Sequence, residues 1–368
     1  VCGALGSPMR VVWANGNERG SGRCGSTYRT TAPPACAKNH ITVGALNSNN
    51  DSMTSFSSWG PTDDGRLKPD VSGPGCQSDG DTGVTSCTSS SDTAYTSLCG
   101  TSMACPTVAG ISALILQDWK AHFPQSGLPR NSTLKVLLAH NAQDRGNTGP
   151  DYQFGYGSVR AQNSIDFLRG GTFIQDTIQQ GETKLYRVTV ASGATNLKAT
   201  LAWDDPPGSV NVIPELVNDL DIVAMAPGSG EIRYPWTLDP DNPSAAAVRT
   251  QADRRNNIEQ VVVDSPISGA WTIRVSGYAV AQGPQVFSLA TTPDFSIATS
   301  AGTIVLDKVK YNCDGSVKVQ VADTDLNEDP AVRETVVATI GSTSEPDPPG
   351  ELVYLMETGA DSSIFTGS

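Results

Sequence analysis

The chain has 368 residues and a net charge of −13, from 25 Lys and Arg against 38 Asp and Glu. Its 38% hydrophobic residues, 17% charged residues, 36 Gly and 24 Pro are typical of a globular protein rich in loops and strands, and they exclude a coiled coil. At roughly 150 residues per domain, the length predicts two or three domains. The acidity disfavours nucleic-acid binding, and the longest apolar run, residues 108–116, is too short to span a bilayer.

The first segment, residues 1–170, combines Gly/Ser-rich loops with helical stretches and short apolar runs. Residues 108–122 are apolar on nearly every side, which predicts a helix buried all round, and residues 132–142 begin with Ser and Thr as helices often do. Short strands are predicted at residues 9–13 and 40–45. Helices that alternate with short apolar strands predict an α/β layer structure.

Two strand-rich segments follow. In residues 171–295, runs of period-two alternation are separated by Pro, Gly, Asn and Asp, which predicts an antiparallel β-sandwich or jelly roll. Residues 296–368 are again strand-like and strongly acidic, and they predict a small, truncated Ig-like β-module.

Seven of the eight cysteines lie in the first 105 residues. None forms a C-x-x-C pair and the chain has three His, so the sequence does not favour a zinc site. Loop pairs such as Cys24 with Cys36, or Cys76 with Cys87, predict disulfides in an exported protein; scattered free thiols are the alternative. Because seven is odd, one of these cysteines is free or pairs outside the chain.

A candidate nucleophile lies in GTSMACP, residues 100–106, which leads directly into the predicted buried helix. Ser102 is therefore expected at a helix N-terminus, where unpaired N–H groups and the helix dipole favour developing negative charge. Pro106 is tolerated because N–H groups of the first turn have no intrahelical acceptor. The small residues around Ser102 leave room for a substrate backbone. From these residues alone, an ordinary serine N-cap is the alternative.

GTSMACP resembles the serine motif GTSMAxP of the subtilases, the subtilisin-like serine proteases. Four further stretches resemble the family in the same order along the chain: VVWANGNE at 11–18, HITVGA at 40–45, SFSSWGPTDDGRLKPDVSGPG at 55–75 and FGYGSV at 154–159. The resemblance covers about residues 8–168, and it implies that residues 1–170 are the C-terminal part of a subtilisin-like α/β catalytic domain with a parallel sheet. An α/β-hydrolase is disfavoured because Met and Ala after Ser102 do not complete G-x-S-x-G.

By this resemblance, Ser102 is the nucleophile. Asn17 supplies a side-chain amide to the oxyanion hole, and the Ser102 N–H is the second donor. An ordinary turn-forming Asn is the alternative for Asn17. The resemblance also implies that five small or polar residues contact the substrate, the first three of them in a pocket open to a large apolar side chain: Ala14, Asn15, Gly16, Gly100 and Thr101.

The chain departs from the family in one respect. Subtilases run Asp, then His, then Ser along the chain, whereas the residues before Asn17 contain neither Asp nor His. His40, His122 and His140 are each predicted to be solvated or capping histidines. The sequence begins without Met and ends within a strand pattern, so we expect an interior piece of a longer exported protein whose missing N-terminal part carries the catalytic Asp and His. A natural non-catalytic relative is the alternative.

Residues 171–295 resemble the C-terminal β-sandwich of some bacterial subtilases, which is similar in architecture to proprotein-convertase P-domains. The resemblance rests on AWDDPPG at 202–208, LVNDLDI at 216–222, NNIEQ at 256–260 and GPQ at 283–285. No cofactor is expected for catalysis. Subtilases commonly bind calcium, and a structural calcium ion is therefore expected at a set of oxygen ligands: Asp204, Asp205, Asn218, Asp219 and Asp221. Carboxylates of turns and edge strands that bind no ion are the alternative for this set. Residues 323–329 are a second acidic candidate for calcium, and a solvated loop is the alternative there.

These features together predict a serine endopeptidase that is secreted or held at the cell surface, in a bacterium. Its partners are polypeptide substrates and the missing N-terminal part of the same protein, with no nucleic acid and no membrane span. Ser102 attacks the peptide carbonyl, the missing His acts as base and Asn17 stabilises the oxyanion. The alternative from another class is a non-catalytic surface or adhesion protein on a degenerate protease scaffold.

Overall fold

The structure is a computed structural model. It describes most of the first 297 residues and parts of the remainder. The described residues are 9–23, 25–78, 82–170, 173–209, 212–293, 295–297, 303–306, 317–323, 326, 332–340, 351–359 and 364–367.

The first segment contains a parallel sheet covered by helices, as the alternation of elements predicts. Strands β1 (Val12–Ala14), β2 (Ile41–Asn47) and β3 (Val71–Cys76) pair in this order, all in parallel. Parallel strands need covering layers, and β2 is almost entirely buried. Three helices belong to this segment: α1 (Thr101–His122), α2 (Asn131–His140) and α3 (Ala161–Gly170).

Helix α1 packs against all three strands, but it is not buried all round as predicted. Its buried residues recur every three or four positions, which defines a single face: Thr101, Ala104, Val108, Ser112, Ile115 and Trp119. Leu114, on another face, is 50% exposed. The apolar run from 108 to 116 therefore leaves part of its hydrophobic surface uncovered by the described residues.

A β-hairpin lies between β3 and α1. Its strands β4 (Val84–Cys87) and β5 (Tyr95–Leu98) pair antiparallel, and a disulfide between Cys76 and Cys99 closes its base. This disulfide connects the end of β3 to the residue just before Gly100.

The predicted pairing of Cys76 with Cys87 is therefore wrong. The hairpin register places Cys87 opposite Tyr95, toward the turn and away from the end of β3. Cys87 is a free, exposed thiol, and Cys36 is also free. Three further cysteines lie outside the described residues: Cys2, Cys24 and Cys313.

The second segment folds into two antiparallel sheets that enclose one apolar core, and its described residues contain no helix. The strands of this sandwich are β6 (Phe173–Ile178), β7 (Thr183–Val190), β8 (Asn196–Trp203), β9 (Asn218–Met225), β10 (Ile232–Arg233), β11 (Ile258–Asp264), β12 (Gly269–Val280), β13 (Gln285–Thr292) and β14 (Phe295–Ile297). One sheet has the order β10-β9-β12-β7-β14 and the other has the order β11-β8-β13-β6. The jelly-roll connection and the domain boundaries at 170 and 295 stay predictions.

The sandwich packs closely on the first segment. Helix α2 lies against β8 and β13, and the core beneath the parallel sheet continues into Ala202, Ile258 and Ala290 of the sandwich. A buried ion pair joins Lys38 Nζ to Asp205 Oδ2 at 2.5 Å. The two segments therefore share apolar core and buried polar contacts.

The last segment contains an antiparallel sheet with a small core of its own. Its strands are β15 (Thr303–Leu306), β16 (Val319–Ala322), β17 (Thr335–Ile340), β18 (Glu351–Glu357) and β19 (Ile364–Gly367). They pair in the order β15-β16-β19-β18-β17. Most of the acidic loop at 323–329 lies outside the described residues, and the Ig-like assignment stays a prediction. None of the described helices has the length and apolar character needed to cross a membrane.

Candidate active site

The candidate site lies at the carboxyl edge of the parallel sheet. Asn17 comes three residues after the end of β1. The chain returns from the hairpin to the end of β3, where the N–H of Gly100 donates to the carbonyl of Gly75 at 2.9 Å. Helix α1 begins at the next residue, so Ser102 stands in its first turn and is exposed. Residues 84 or more positions apart thus meet at one edge.

Thr101 holds the Asn17 side chain in place. Its backbone N–H and its hydroxyl both donate to Asn17 Oδ1, each at 2.9 Å. The Thr101 hydroxyl in turn accepts from the N–H of Gly16 at 3.2 Å. With Oδ1 fixed in this way, the Nδ2 group of Asn17 must face the opposite side, since the amide is planar.

Two unpaired donors border a small open space beside Ser102. A Cβ atom built on Gly100 would lie 3.5 Å from Asn17 Nδ2 and 3.6 Å from the Ser102 nitrogen. Among the described residues, neither of these two nitrogens has a hydrogen-bond acceptor. The N–H groups of Met103 and Ala104 are instead satisfied by the carbonyl of Gly100. A helix N-terminus with a free N–H attracts negative charge, and a neighbouring side-chain amide strengthens this attraction.

The three residues predicted to form the pocket differ in their burial and in what they contact. Asn15 is buried, and its side-chain amide accepts from the Thr31 hydroxyl at 2.9 Å and donates to the carbonyl of Ser58. It therefore supports the loop from within. Gly16 has a φ of 106°, a conformation that favours glycine. Ala14 is half-buried, so it can still border a pocket.

Thr101 is buried and its side chain is engaged with Asn17 and Gly16. It therefore positions another residue of the site, whereas the resemblance implied a contact with substrate. The motif indicated this positioning role, because the hydroxyl of a threonine beside the serine can form hydrogen bonds with two different parts of the chain. Its partner was not visible, because Asn17 is 84 residues away in sequence.

No histidine of the chain lies next to Ser102. His40 immediately precedes β2 and so lies at the amino edge of the sheet, opposite to Ser102. It is half-buried and stacks on Trp13, with ring centroids 5.7 Å apart. His122 ends α1, about 30 Å along the helix from Ser102 at 1.5 Å per residue, and its ring caps the helix end through the carbonyl of Asp118.

His140 contradicts its prediction as a solvated or capping histidine. It is 2% exposed, and its two ring nitrogens contact the hydroxyls of Thr200 and Thr292, each at 2.9 Å. Both threonines belong to the sandwich, so His140 is a buried contact between the two segments. Burial lowers the pKa of His140 well below its ordinary value, which keeps the imidazole neutral.

A buried ion cluster lies beneath the sheet, and the sequence analysis did not identify it. The Asp70 carboxylate pairs with Lys68 Nζ at 2.7 Å and with Lys135 Nζ at 3.2 Å, and it accepts from the N–H of Thr42 at 2.7 Å. All three charged residues are at most 2% exposed. Burial lowers the pKa of Lys68 to about 7, against the attraction of Asp70. The cluster ties α2 to the amino ends of β2 and β3.

The five residues predicted to bind calcium do not come together as one set. The Asp204 carboxylate accepts from the N–H of Ser132 at 3.0 Å, and Asp205 is paired with Lys38. The Asn218 amide donates to Gln285. Asp204 and Asp205 thus contact the first segment, and Asn218 makes a contact within the sandwich.

Asp219 and Asp221 are brought to a third carboxylate, Glu259, which the sequence analysis did not select. One oxygen from each of the three lies within 4.8 Å of the others. In the sequence, Glu259 is recognisable as a charged residue among the apolar residues of a strand. That position does not reveal which strand of the other sheet lies opposite Glu259.

Residues 2–157 match the Subtilase family. The chain is 26% identical over 349 residues to the serine protease/ABC transporter B family protein tagB of Dictyostelium discoideum, covering 76% of this chain and 18% of that protein. It is 35% identical over 157 residues to the serine protease AprX of Bacillus subtilis, covering 39% of this chain and 34% of AprX. The chain thus spans about a third or less of the length of these two relatives.

Among solved structures, the crystal structure of fervidolysin from Fervidobacterium pennivorans aligns with 97% of this chain and 54% of its own chain. The identity is 17% and the TM-score is 0.32, a similarity too distant to define how the domains are arranged. The family match covers the segment that contains Asn17 and Ser102 and ends before β6, the first strand of the sandwich. The first part of the chain, residues 2–157, is a member of the subtilase family.

Proposed function

We propose that this chain supplies the nucleophile and the oxyanion-binding donors of a serine peptidase that hydrolyses polypeptides. One observation carries the proposal: two unpaired N–H donors, Asn17 Nδ2 and the Ser102 N–H, border the same open space beside an exposed serine. Family membership of residues 2–157 supports the same activity. That the whole protein acts on polypeptides is proposed from this chemistry.

In the proposed reaction, Ser102 Oγ attacks the carbonyl carbon of the scissile peptide bond, and the carbonyl oxygen becomes a tetrahedral oxyanion. Asn17 Nδ2 and the Ser102 N–H donate to this oxygen more strongly than to the ground-state carbonyl. A donor of this kind contributes about 10²–10³ in kcat, a magnitude known from a member of this family. As the intermediate collapses, the C–N bond breaks and the base returns the serine proton to the leaving amine. An acyl group stays on Ser102 until water hydrolyses it.

The base that accepts the proton of Ser102 is proposed to lie on a polypeptide segment outside this chain. His40 lies at the amino edge of the sheet, His122 at the far end of α1 and His140 at the contact with the sandwich. Strand β1 pairs only with β2 among the described residues, so its other edge can accept a further strand. Loss of the base costs on the order of 10⁶ in kcat for subtilisin, so the chain alone is expected to be almost inactive.

An oxidising location is part of the proposal. The disulfide between Cys76 and Cys99 lies directly before Gly100, and such bonds persist outside the cytosol. We therefore place the protein in an exported compartment, secreted or at the cell surface. The origin in a bacterium stays a prediction.

Fluorophosphonate labelling tests the function. The full-length protein should be labelled at Ser102, whereas Ser102→Ala should not be labelled. Ser126→Ala changes an exposed serine beyond the end of α1 and should be labelled like the wild type. A full-length protein that carries its own Asp and His but resists labelling would contradict the proposal, and would favour a non-catalytic binding protein on the same scaffold.

A further inference from the structure

The loop that contains Asn17 is held by a second segment of the chain. This loop, residues 15–19, follows β1 and contacts residues 54–59, which follow β2. At one end of the contact, the N–H of Arg19 donates to the carbonyl of Phe56 at 3.3 Å. The position of Asn17 therefore depends on residues 54–59 as well as on α1.

Ser58 makes the central contacts with this loop. Its N–H donates to the carbonyl of Gly16 at 2.8 Å, and its hydroxyl oxygen accepts from the N–H of Glu18 at 3.0 Å. Its own carbonyl accepts from the side-chain amide of Asn15. A Cβ atom built on Gly16 would lie only 3.0 Å from Ser58 Oγ, so the two segments are in close contact. One residue thus bonds to the loop on both sides of Asn17.

The two backbone partners of Ser58 belong to the peptide groups on either side of the Asn17 Cα. The carbonyl of Gly16 is part of the peptide group that joins Gly16 to Asn17. The N–H of Glu18 is part of the peptide group that joins Asn17 to Glu18. Because peptide groups are planar, holding both of them sets the position of the Asn17 Cα and the direction in which its side chain leaves the backbone.

Ser58 is itself fixed by its surroundings. The residue is fully buried, and both of its neighbours in sequence are anchored. The Ser57 hydroxyl accepts from the N–H of Ala45 in β2 at 3.1 Å. The N–H of Trp59 donates to the Thr30 hydroxyl at 2.8 Å. Ser58 therefore connects the loop that contains Asn17 to the core of the parallel sheet.

Ser58 and Thr101 act on different parts of Asn17. Thr101 donates to Asn17 Oδ1 and so sets the rotation of the amide. Ser58 holds the backbone from which that amide projects. An oxyanion donor must lie about 2.7–3.1 Å from the oxygen that it stabilises, so a correctly rotated amide on a displaced backbone would lose its contact.

We propose that Ser58 is a positioning residue of the peptidase, whose hydroxyl keeps the Asn17 amide within reach of the oxyanion. The role of Ser58 rests on the proposed function, in which Asn17 Nδ2 donates to that oxygen. Ser58 is fully buried, so it acts through Asn17 and not by contact with the substrate. Its effect should therefore fall on the transition state and change kcat rather than KM.

Steady-state kinetics of the full-length protein on a peptide p-nitroanilide test the proposal. Ser58→Ala removes the hydrogen bond to the N–H of Glu18 but keeps the two bonds that the Ser58 backbone makes. We expect kcat to fall about tenfold with KM little changed, which is less than the loss of about 10²–10³ for removal of a whole oxyanion donor. A Ser58→Ala variant that folds and keeps the wild-type kcat overturns the proposal.

The same substitution in an Asn17→Ala background separates positioning from a general structural effect. Asn17→Ala alone should lower kcat by about 10²–10³. No amide is then left to position, so adding Ser58→Ala should change kcat by less than about twofold. A tenfold loss in both backgrounds overturns the proposal, because Ser58 would then act without Asn17. An Asn17→Ala variant with the wild-type kcat would instead contradict the proposed function itself.

Ser57→Ala is the matched control. Ser57 is also fully buried, and its hydroxyl accepts one backbone N–H, but that N–H belongs to Ala45 of β2. Ser57→Ala should lower the melting temperature about as much as Ser58→Ala and leave kcat unaltered. If both variants lower kcat equally, kcat follows stability and the positioning role is wrong. If Ser58→Ala fails to fold, Ser58→Cys takes its place in both backgrounds, because a thiol has a similar shape but is a weak acceptor.

Discussion

Thr101 donates twice to Asn17 Oδ1, once from its backbone and once from its hydroxyl, across 84 residues of sequence. The backbone donor belongs to the first turn of α1 and the hydroxyl also contacts Gly16. One residue next to the nucleophile thus sets the direction of the amide that is proposed to bind the oxyanion. The two donors proposed for the oxyanion, Asn17 Nδ2 and the Ser102 N–H, are therefore aligned by the contact between the helix and the loop. Neither element alone would align them.

Replacing the Thr101 hydroxyl should lower kcat with little change in KM. Thr101→Val keeps the shape and the backbone donor but removes one hydrogen bond from Asn17, which contributes about 0.5–1.5 kcal/mol, or about a 2- to 12-fold loss of kcat. The separate variant Thr101→Ser keeps the hydroxyl and should retain most of the wild-type activity. Steady-state kinetics of the full-length protein measure both effects.

Thr107→Val is the control for this prediction. The Thr107 hydroxyl bonds to the carbonyl of Met103 within the same helix, so its loss should change stability slightly and leave kcat unaltered. If Thr101→Val raises KM and leaves kcat intact, Thr101 contacts the substrate instead of positioning Asn17.

Gly100→Ala should fill the space between the two donors. The backbone φ of Gly100 is 162°, an extended value that any residue adopts, so the added Cβ should cause little strain. The methyl group would stand 3.5 Å from Asn17 Nδ2, where the oxyanion is proposed to form. We expect kcat to fall by about 10²–10³ with the melting temperature nearly unchanged.

Gly110→Ala provides the comparison for Gly100→Ala. A Cβ at Gly110 has no atom within 4 Å, and Gly110 lies inside α1, so the change should leave kcat unaltered and stabilise the helix by about 1 kcal/mol. A Gly100→Ala variant with wild-type kcat would show that the oxyanion forms elsewhere.

Stability should fall in acid through His140. The folded state lowers the pKa of His140 by burial, whereas the unfolded chain titrates near 6.5, so below that pH the unfolded state binds more protons. Stability from this group is therefore complete above pH 6.5 and is lost as the pH falls, by up to about 1.4 kcal/mol per pH unit. Urea unfolding at pH 8 and pH 5.5 measures the loss.

His140→Gln removes the titrating group but retains polar atoms that can contact Thr200 and Thr292. The difference in stability between pH 8 and pH 5.5 should be smaller in this variant than in the wild type, even if its stability at pH 8 is lower. The carboxylates that also titrate in this range are common to both proteins. Equal differences in the two proteins would show that His140 is not the group responsible.

Opening the disulfide should destabilise the segment before the nucleophile. Cys76 and Cys99 are separated by 23 residues, a loop length for which a cross-link contributes about 3 kcal/mol. Reduction, or Cys76→Ser with Cys99→Ser, should lower the melting temperature and also kcat, because Cys99 precedes Gly100. Cys87→Ser, at a free exposed cysteine, should change neither quantity. Wild-type stability of the double variant would contradict this account.

Some features follow from sequence because they depend on neighbouring residues. GTSMACP leads into an apolar run, and Ser102 therefore begins a helix in the structure as predicted. The alternation of residues in 171–295 likewise yields antiparallel strands, because a period of two fits only an extended chain with two different faces. The predicted strands near 12 and 41 lie within a few residues of β1 and β2.

The tertiary structure alone decided which distant groups meet. Only the packing of α1 against the loop after β1 turned Thr101 toward Asn17. The sandwich surface buried His140, and the sheet edges placed Glu259 rather than Asp204 beside Asp219. Periodicity along a chain defines which face a side chain occupies, but the element opposite that face is set by long-range packing, and its identity is not encoded in the spacing of nearby residues.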